Sequence, residues 1–306
     1  MRTLSTFVAS LLVATTGLTQ VQTGGSGEPT TRPVIAEDIS PLELISPVAA
    51  DGHRGEAFLR KPPGDGPFPA IVLVHGGLTK WPIDQLKEYA SRAHPSRFLE
   101  AGYVVAVTTY RSRDIDPQTT VSLEDILAAV DYLKNLDYVD PNSVAVRGTS
   151  GGGSLTLDVA AATDVVAIVV EEPASVSFTG IRTAELDGRT IRTDPRRYYT
   201  PEHQTLTREK ISRMNSPILM IQGDQNRIPY FNAEILIPEL NAAGKDLTVI
   251  TYAGEPHSFA FHSTPERTPR PAVALKAFRD MDAFLRMHLP TQPKPMDADL
   301  VDHVPW

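Results

Sequence analysis

Cysteine is missing altogether from the 306 residues, so disulfides, thiolate metal sites and a cysteine nucleophile are excluded. Basic residues are in the minority, 29 against 37 acidic, for a formal net charge of −8. That balance runs against a nucleic-acid footprint, and nucleic acid is not expected as a partner. No H-E-x-x-H zinc motif and no G-x-x-x-x-G-K-[ST] phosphate loop occurs, so neither a metal nor any other cofactor is expected. No internal repeat is visible. The one uncharged, largely apolar run near the start, Leu4 to Leu18, is shorter than the roughly 20 residues of a membrane helix, which argues against a stable span.

What is present divides the chain. Met1-Arg2 followed by that run reads as a signal peptide over 1–22, which predicts a secreted or periplasmic protein. Residues 23–39, with Thr23-Gly24-Gly25-Ser26-Gly27 and Pro33, read as a flexible linker. Residues 40–289 have the length and patterning of one domain with a sizeable core, and 290–306 read as a loose, Pro/Asp-rich tail.

Inside the domain, Leu42–Ile45 and Glu56–Leu59 flank Asp51-Gly52 like the strands of a hairpin. Ala70–Val74, Tyr103–Val107, Val144–Val146, Val165–Val170 and Ile218–Ile221 are apolar without alternation, the mark of strands buried on both faces of a parallel sheet. Leu247–Tyr252 is a further strand. Helical patterns over 84–101, 121–136, 233–243 and 271–288 separate them. Such alternation predicts an α/β fold with a doubly wound, mostly parallel sheet. Residues 174–214 are polar, carry several arginines and tyrosines, and lack a strand; they read as a cap or lid inserted between the sixth and seventh strands.

Three features fall at the C-terminal ends of strands, where open α/β sheets keep their sites. Gly148-Thr149-Ser150-Gly151-Gly152 places a serine at a strand-to-helix turn in a G-x-S-x-G frame, with glycine where neighbouring chain would crowd a side chain. The Gly151 N–H then points to where an oxyanion would form. His75-Gly76-Gly77 lets a second N–H, from Gly77 or Leu78, complete a two-donor oxyanion hole. His257, in Gly254-Glu255-Pro256-His257 after the last strand, sits where a general base is needed, whereas His262 lies further into the loop.

The order and spacing of these motifs, with Gly223-Asp224 between them, resemble the α/β-hydrolases. More narrowly they resemble dienelactone-hydrolase-like esterases and the catalytic domain of prolyl-oligopeptidase-type peptidases. Asp125–Gly152 and Ala243–His257 carry the likeness most strongly, and it covers roughly 40 to 289. It implies a Ser150–His257–acid triad. Relatives place the acid in the turn after the seventh strand, where this chain has Asn226. Asparagine orients a histidine but does not stabilise its cation. Asp224, two residues earlier, is the first choice of acid, and Glu172 or Glu171 at the end of the sixth strand is the alternative. Otherwise Asn226 stands in or the triad is impaired.

The expectation is therefore a serine hydrolase of small-molecule carboxylic esters acting through an acyl-enzyme. A prolyl-oligopeptidase-type peptidase ranks second: about 40 residues precede the domain, fewer than a propeller needs, and Glu171-Glu172 is the sole feature suited to a substrate amino group. A catalytically impaired binding module ranks third. The ester's identity and the oligomeric state are not written in the sequence.

Overall fold

A computed structural model describes residues 40–112, 121–182, 186–187, 193–225, 228–260 and 271–296. The expected signal peptide and linker, Asn226 and His262 lie outside them. Eight strands form one sheet: β1 (Glu43–Ile45), β2 (Ala57–Arg60), β3 (Phe68–Val74), β4 (Val104–Thr108), β5 (Val139–Thr149), β6 (Ile168–Glu171), β7 (Ile218–Gly223) and β8 (Leu247–Tyr252). Their order is β1-β2-β4-β3-β5-β6-β7-β8. β1 and β2 pair antiparallel at one edge, and β2 also runs antiparallel to β4. The other neighbours are parallel.

The unalternated strands are buried on both faces, and their side chains feed two cores. Ala70, Val72 and Val74 of β3 face one layer while Ile71 and Leu73 face the other. The first layer is closed by α3 (Val121–Lys134) and α4 (Ser150–Ala162), the second by α1 (Ile83–Ala90), α2 (Ala93–Glu100) and α8 (Pro271–His288). No described helix is long and apolar enough to cross a membrane.

The structure departs from the sequence expectations in four places. The helix expected over 84–101 is two helices, broken at Arg92, whose backbone is extended. Pro95 explains the break: without an N–H it belongs in the first turn of a new helix, not the interior of a long one. The helix expected over 233–243 begins earlier, with α6 (Ile228–Phe231), and continues through a wider turn at Asn232–Leu236 into α7 (Ile237–Ala242). That turn precedes Pro238, which has no N–H for the ordinary helical register.

Residues 174–214 are not wholly a cap. They contain α5 (Pro201–Arg213), the crossover helix that parallel strands β6 and β7 require. Its Lys210 reaches Asp158 of α4 and the Phe178 carbonyl, both at 2.9 Å. Finally, the first part of the tail is docked. Thr291 N–H donates to Ser143 Oγ at 2.9 Å and Met296 N–H to the Glu100 carbonyl at 2.8 Å. Pro-rich chain lacks donors of its own, and here the body supplies the partners.

Candidate active site

Ser150 sits at the junction of β5 and α4 with φ 51°, in the left-handed region that costs a side-chain-bearing residue energy. The chain packs too tightly around it for side chains. A Cβ on Gly151 would lie 2.0 Å from the Gly77 carbonyl oxygen, and one on Gly152 would lie 2.2 Å from that of His75. The loop after β3 is thus laid directly against the serine turn.

That loop is braced from beneath. His75 is buried between the rings of Trp81 and Tyr110, with centroids 4.2 and 4.4 Å away and nearly parallel. Burial pushes its pKa down to about 4, so the ring is neutral. Its Nδ1 donates to the Gly76 carbonyl at 2.8 Å, because that partner only accepts. Nε2 then accepts from the Thr109 hydroxyl at 3.0 Å, and Thr109 Oγ1 in turn accepts the Trp81 N–H at 2.9 Å. The Tyr110 hydroxyl holds the Gly77 carbonyl at 2.8 Å.

His257 follows β8. The neighbours of Ser150 and His257 meet: Thr149 Oγ1 and Ser258 Oγ are 3.1 Å apart, which brings the histidine loop onto the serine turn. Nδ1 of His257 is in contact with Oε2 of Glu172. Glu172 is fully buried and held by backbone donors, with Gly223 N–H on Oε1 at 2.6 Å and Ser258 N–H on Oε2 at 2.8 Å. Glu172 and Ser258 both have positive φ, 44° and 59°. With Ser150 they are the described non-glycine residues in that region, so among the described residues this strain is gathered at one place.

Asp224, the first choice of acid, makes its contacts elsewhere. Its exposed carboxylate accepts the Gly254 N–H at 2.7 Å and the Gln225 amide at 2.8 Å, bracing the turn after β7. The carboxylate against the histidine is that of the alternative, Glu172. Glu171 is buried as well, paired through Oε2 with Arg147 Nη2 at 2.6 Å and accepting the Ala260 N–H on Oε1 at 2.8 Å. Both carboxylates are consumed internally, so neither is offered to a substrate amino group. Arg147 escaped the sequence reading, although a signal was there: an arginine that ends the apolar run of a buried strand needs a buried counter-ion.

A profile of the prolyl oligopeptidase family matches residues 91–290. The chain belongs to that family. Its family and its eight-stranded sheet make it an α/β-hydrolase. Among curated proteins, the quorum-quenching protein AidA of Acinetobacter baumannii (strain MDR-ZJ06) is 29% identical over 150 residues, 44% of this chain and 47% of that protein. The chain therefore spans about half the length of that relative. The fold is shared with carboxyl esterase 2 of the fungus Tuber melanosporum (19% identity, 84% of this chain and 89% of that chain, TM-score 0.60). It is shared also with an esterase of the archaeon Pyrobaculum calidifontis (20%, 81% and 86%, TM-score 0.59). A third is Thermogutta terrifontis esterase 2, solved phosphonylated by sarin (17%, 82% and 96%, TM-score 0.61).

Proposed function

We propose that this family member is a serine hydrolase of small-molecule carboxylic esters, with Ser150 as nucleophile, His257 as base and Glu172 as acid. The contact between Glu172 and His257 beside the strained Ser150 turn carries the reading. Ser150 Oγ attacks the acyl carbon and passes its proton to His257, whose cation Glu172 stabilises. The N–H groups of Gly151 and Gly77 hold the oxyanion. The tetrahedral intermediate collapses, the alcohol leaves with the proton from His257, and water attacks the acyl-enzyme by the same route to release the acid.

The esterase names of the structural neighbours support the ester preference. So does the internal use of Glu171 and Glu172, which removes the group that an aminopeptidase site would need. The charged start and the run Leu4–Leu18 support export, testable by N-terminal sequencing of protein recovered outside the cytoplasm. Hydrolysis of short-chain p-nitrophenyl esters by wild type beside Ser150→Ala tests the activity. Equal rates for the two would sink it, and aminoacyl-nitroanilides would then separate peptidase from binding module.

A further inference from the structure

Two acidic residues stand side by side at the end of β6, and the proposed chemistry uses only the second. Glu171 and Glu172 are both fully buried. Glu171 ends the strand, Glu172 follows it with its backbone at φ 44°, and the two carboxylates take different partners on the same loop. Glu172 receives the Ser258 N–H and Glu171 the Ala260 N–H, each at 2.8 Å. Those amides lie one and three residues after His257. The base loop is therefore clamped to the sheet by two adjacent carboxylates, one at its left-handed residue Ser258 and one two residues further on.

Glu171 is itself held in place. Arg147 donates from Nη2 to its Oε2 at 2.6 Å, with both side chains fully buried. Arg147 belongs to β5, three positions before Ser150, so the pair connects the strand that carries the nucleophile to the loop that carries the base. Burial pushes the Glu171 carboxyl up, and the Arg147 guanidinium opposes that rise. The charged and titratable groups around Glu171 are Arg147 from β5, Glu172 just after β6, His257 from the loop, Tyr89 from α1 and Tyr252 from β8.

We propose that Glu171, fixed by Arg147, is a positioning residue for His257: it locks the base loop in register with Ser150 and places a second negative charge behind the imidazole. This rests on the serine-hydrolase reading. A buried pair that served packing alone would be replaceable by neutral groups without effect on the base. A positioning pair is not, because displacement of a reacting group by about 1 Å costs on the order of a hundredfold in rate.

The test is the rate of covalent labelling of Ser150 by a fluorophosphonate, followed from about pH 5 to about pH 9. It compares wild type, Ser150→Ala, Glu171→Gln and the double variant Glu171→Gln/Arg147→Met, which leaves no uncompensated buried charge should the single variant fail to fold. Labelling is expected to slow at least tenfold in both variants at the pH optimum. In Glu171→Gln the acid limb moves to lower pH by about half a unit, because loss of a nearby negative charge makes the imidazolium less stable. A double variant that folds and labels at the wild-type rate, with the wild-type pH profile, overturns the role of Glu171 and leaves the serine-hydrolase reading standing. Wild type labelling no faster than Ser150→Ala overturns both.

Discussion

One carboxylate, Glu172, touches the imidazole of His257 with one oxygen and takes the Gly223 N–H at 2.6 Å with the other. The end of β7 thus fixes the Glu172 carboxylate, and that carboxylate meets the His257 ring. Asp224, the acid first expected from the sequence, takes the Gly254 N–H at 2.7 Å.

Glu172→Gln is accordingly expected to lower kcat for p-nitrophenyl acetate by about 10³ to 10⁴, the cost of leaving the imidazolium without its anion. Asp224→Asn, which keeps an acceptor for Gly254, is expected to stay within about threefold of wild type. Equal losses in the two variants would contradict the assignment.

Gly151→Ala places a methyl where the Gly77 carbonyl oxygen lies 2.0 Å away. The oxyanion loop and the serine turn must then separate, and kcat is expected to fall about a hundredfold or more. Circular dichroism with steady-state kinetics distinguishes this from unfolding.

Tyr110→Phe removes the hydroxyl that holds the Gly77 carbonyl at 2.8 Å and the His75 carbonyl at 3.2 Å. The ring stack with His75 remains. A drop in kcat of about tenfold with KM within about twofold is expected, since only the placement of the oxyanion donor changes.

His75 gives the fold a pH dependence of defined sign. Its pKa is pushed down to about 4 from an ordinary 6.5, by burial. Below about pH 6.5 the unfolded chain takes up a proton there that the folded chain refuses until about pH 4, so stability falls with pH across that window. At about pH 5 the loss from this group is about 2 kcal/mol. Buried His94 acts in the same direction. Urea unfolding at about pH 7.5 and about pH 5 should show a smaller drop for His75→Asn than for wild type.

Gly102 has φ +101°, and a Cβ on it would meet the Lys294 carbonyl oxygen at 2.3 Å. Gly102→Ala is expected to cost about 1–3 kcal/mol and to lower the melting temperature by several degrees, in part by displacing the docked tail. No change in melting temperature would mean that residues 290–296 add nothing to stability.

The sequence by itself determined the sheet, the serine turn, the glycine loop after β3 and the position of His257. These are local signals: unbroken apolar runs mark doubly buried strands, and glycine marks chain packed against chain. Tertiary structure decided which carboxylate meets the histidine, because Asp224, Glu171 and Glu172 all stand at strand ends and composition does not rank them. What ranks them is the set of backbone N–H groups each one faces. Glu172, with its backbone at φ 44°, finds those of Gly223 and Ser258, and Asp224 finds that of Gly254. The partnership of Arg147 with Glu171 was undecided for the same reason: the two lie 24 positions apart in the chain and meet only when β5 and β6 pair.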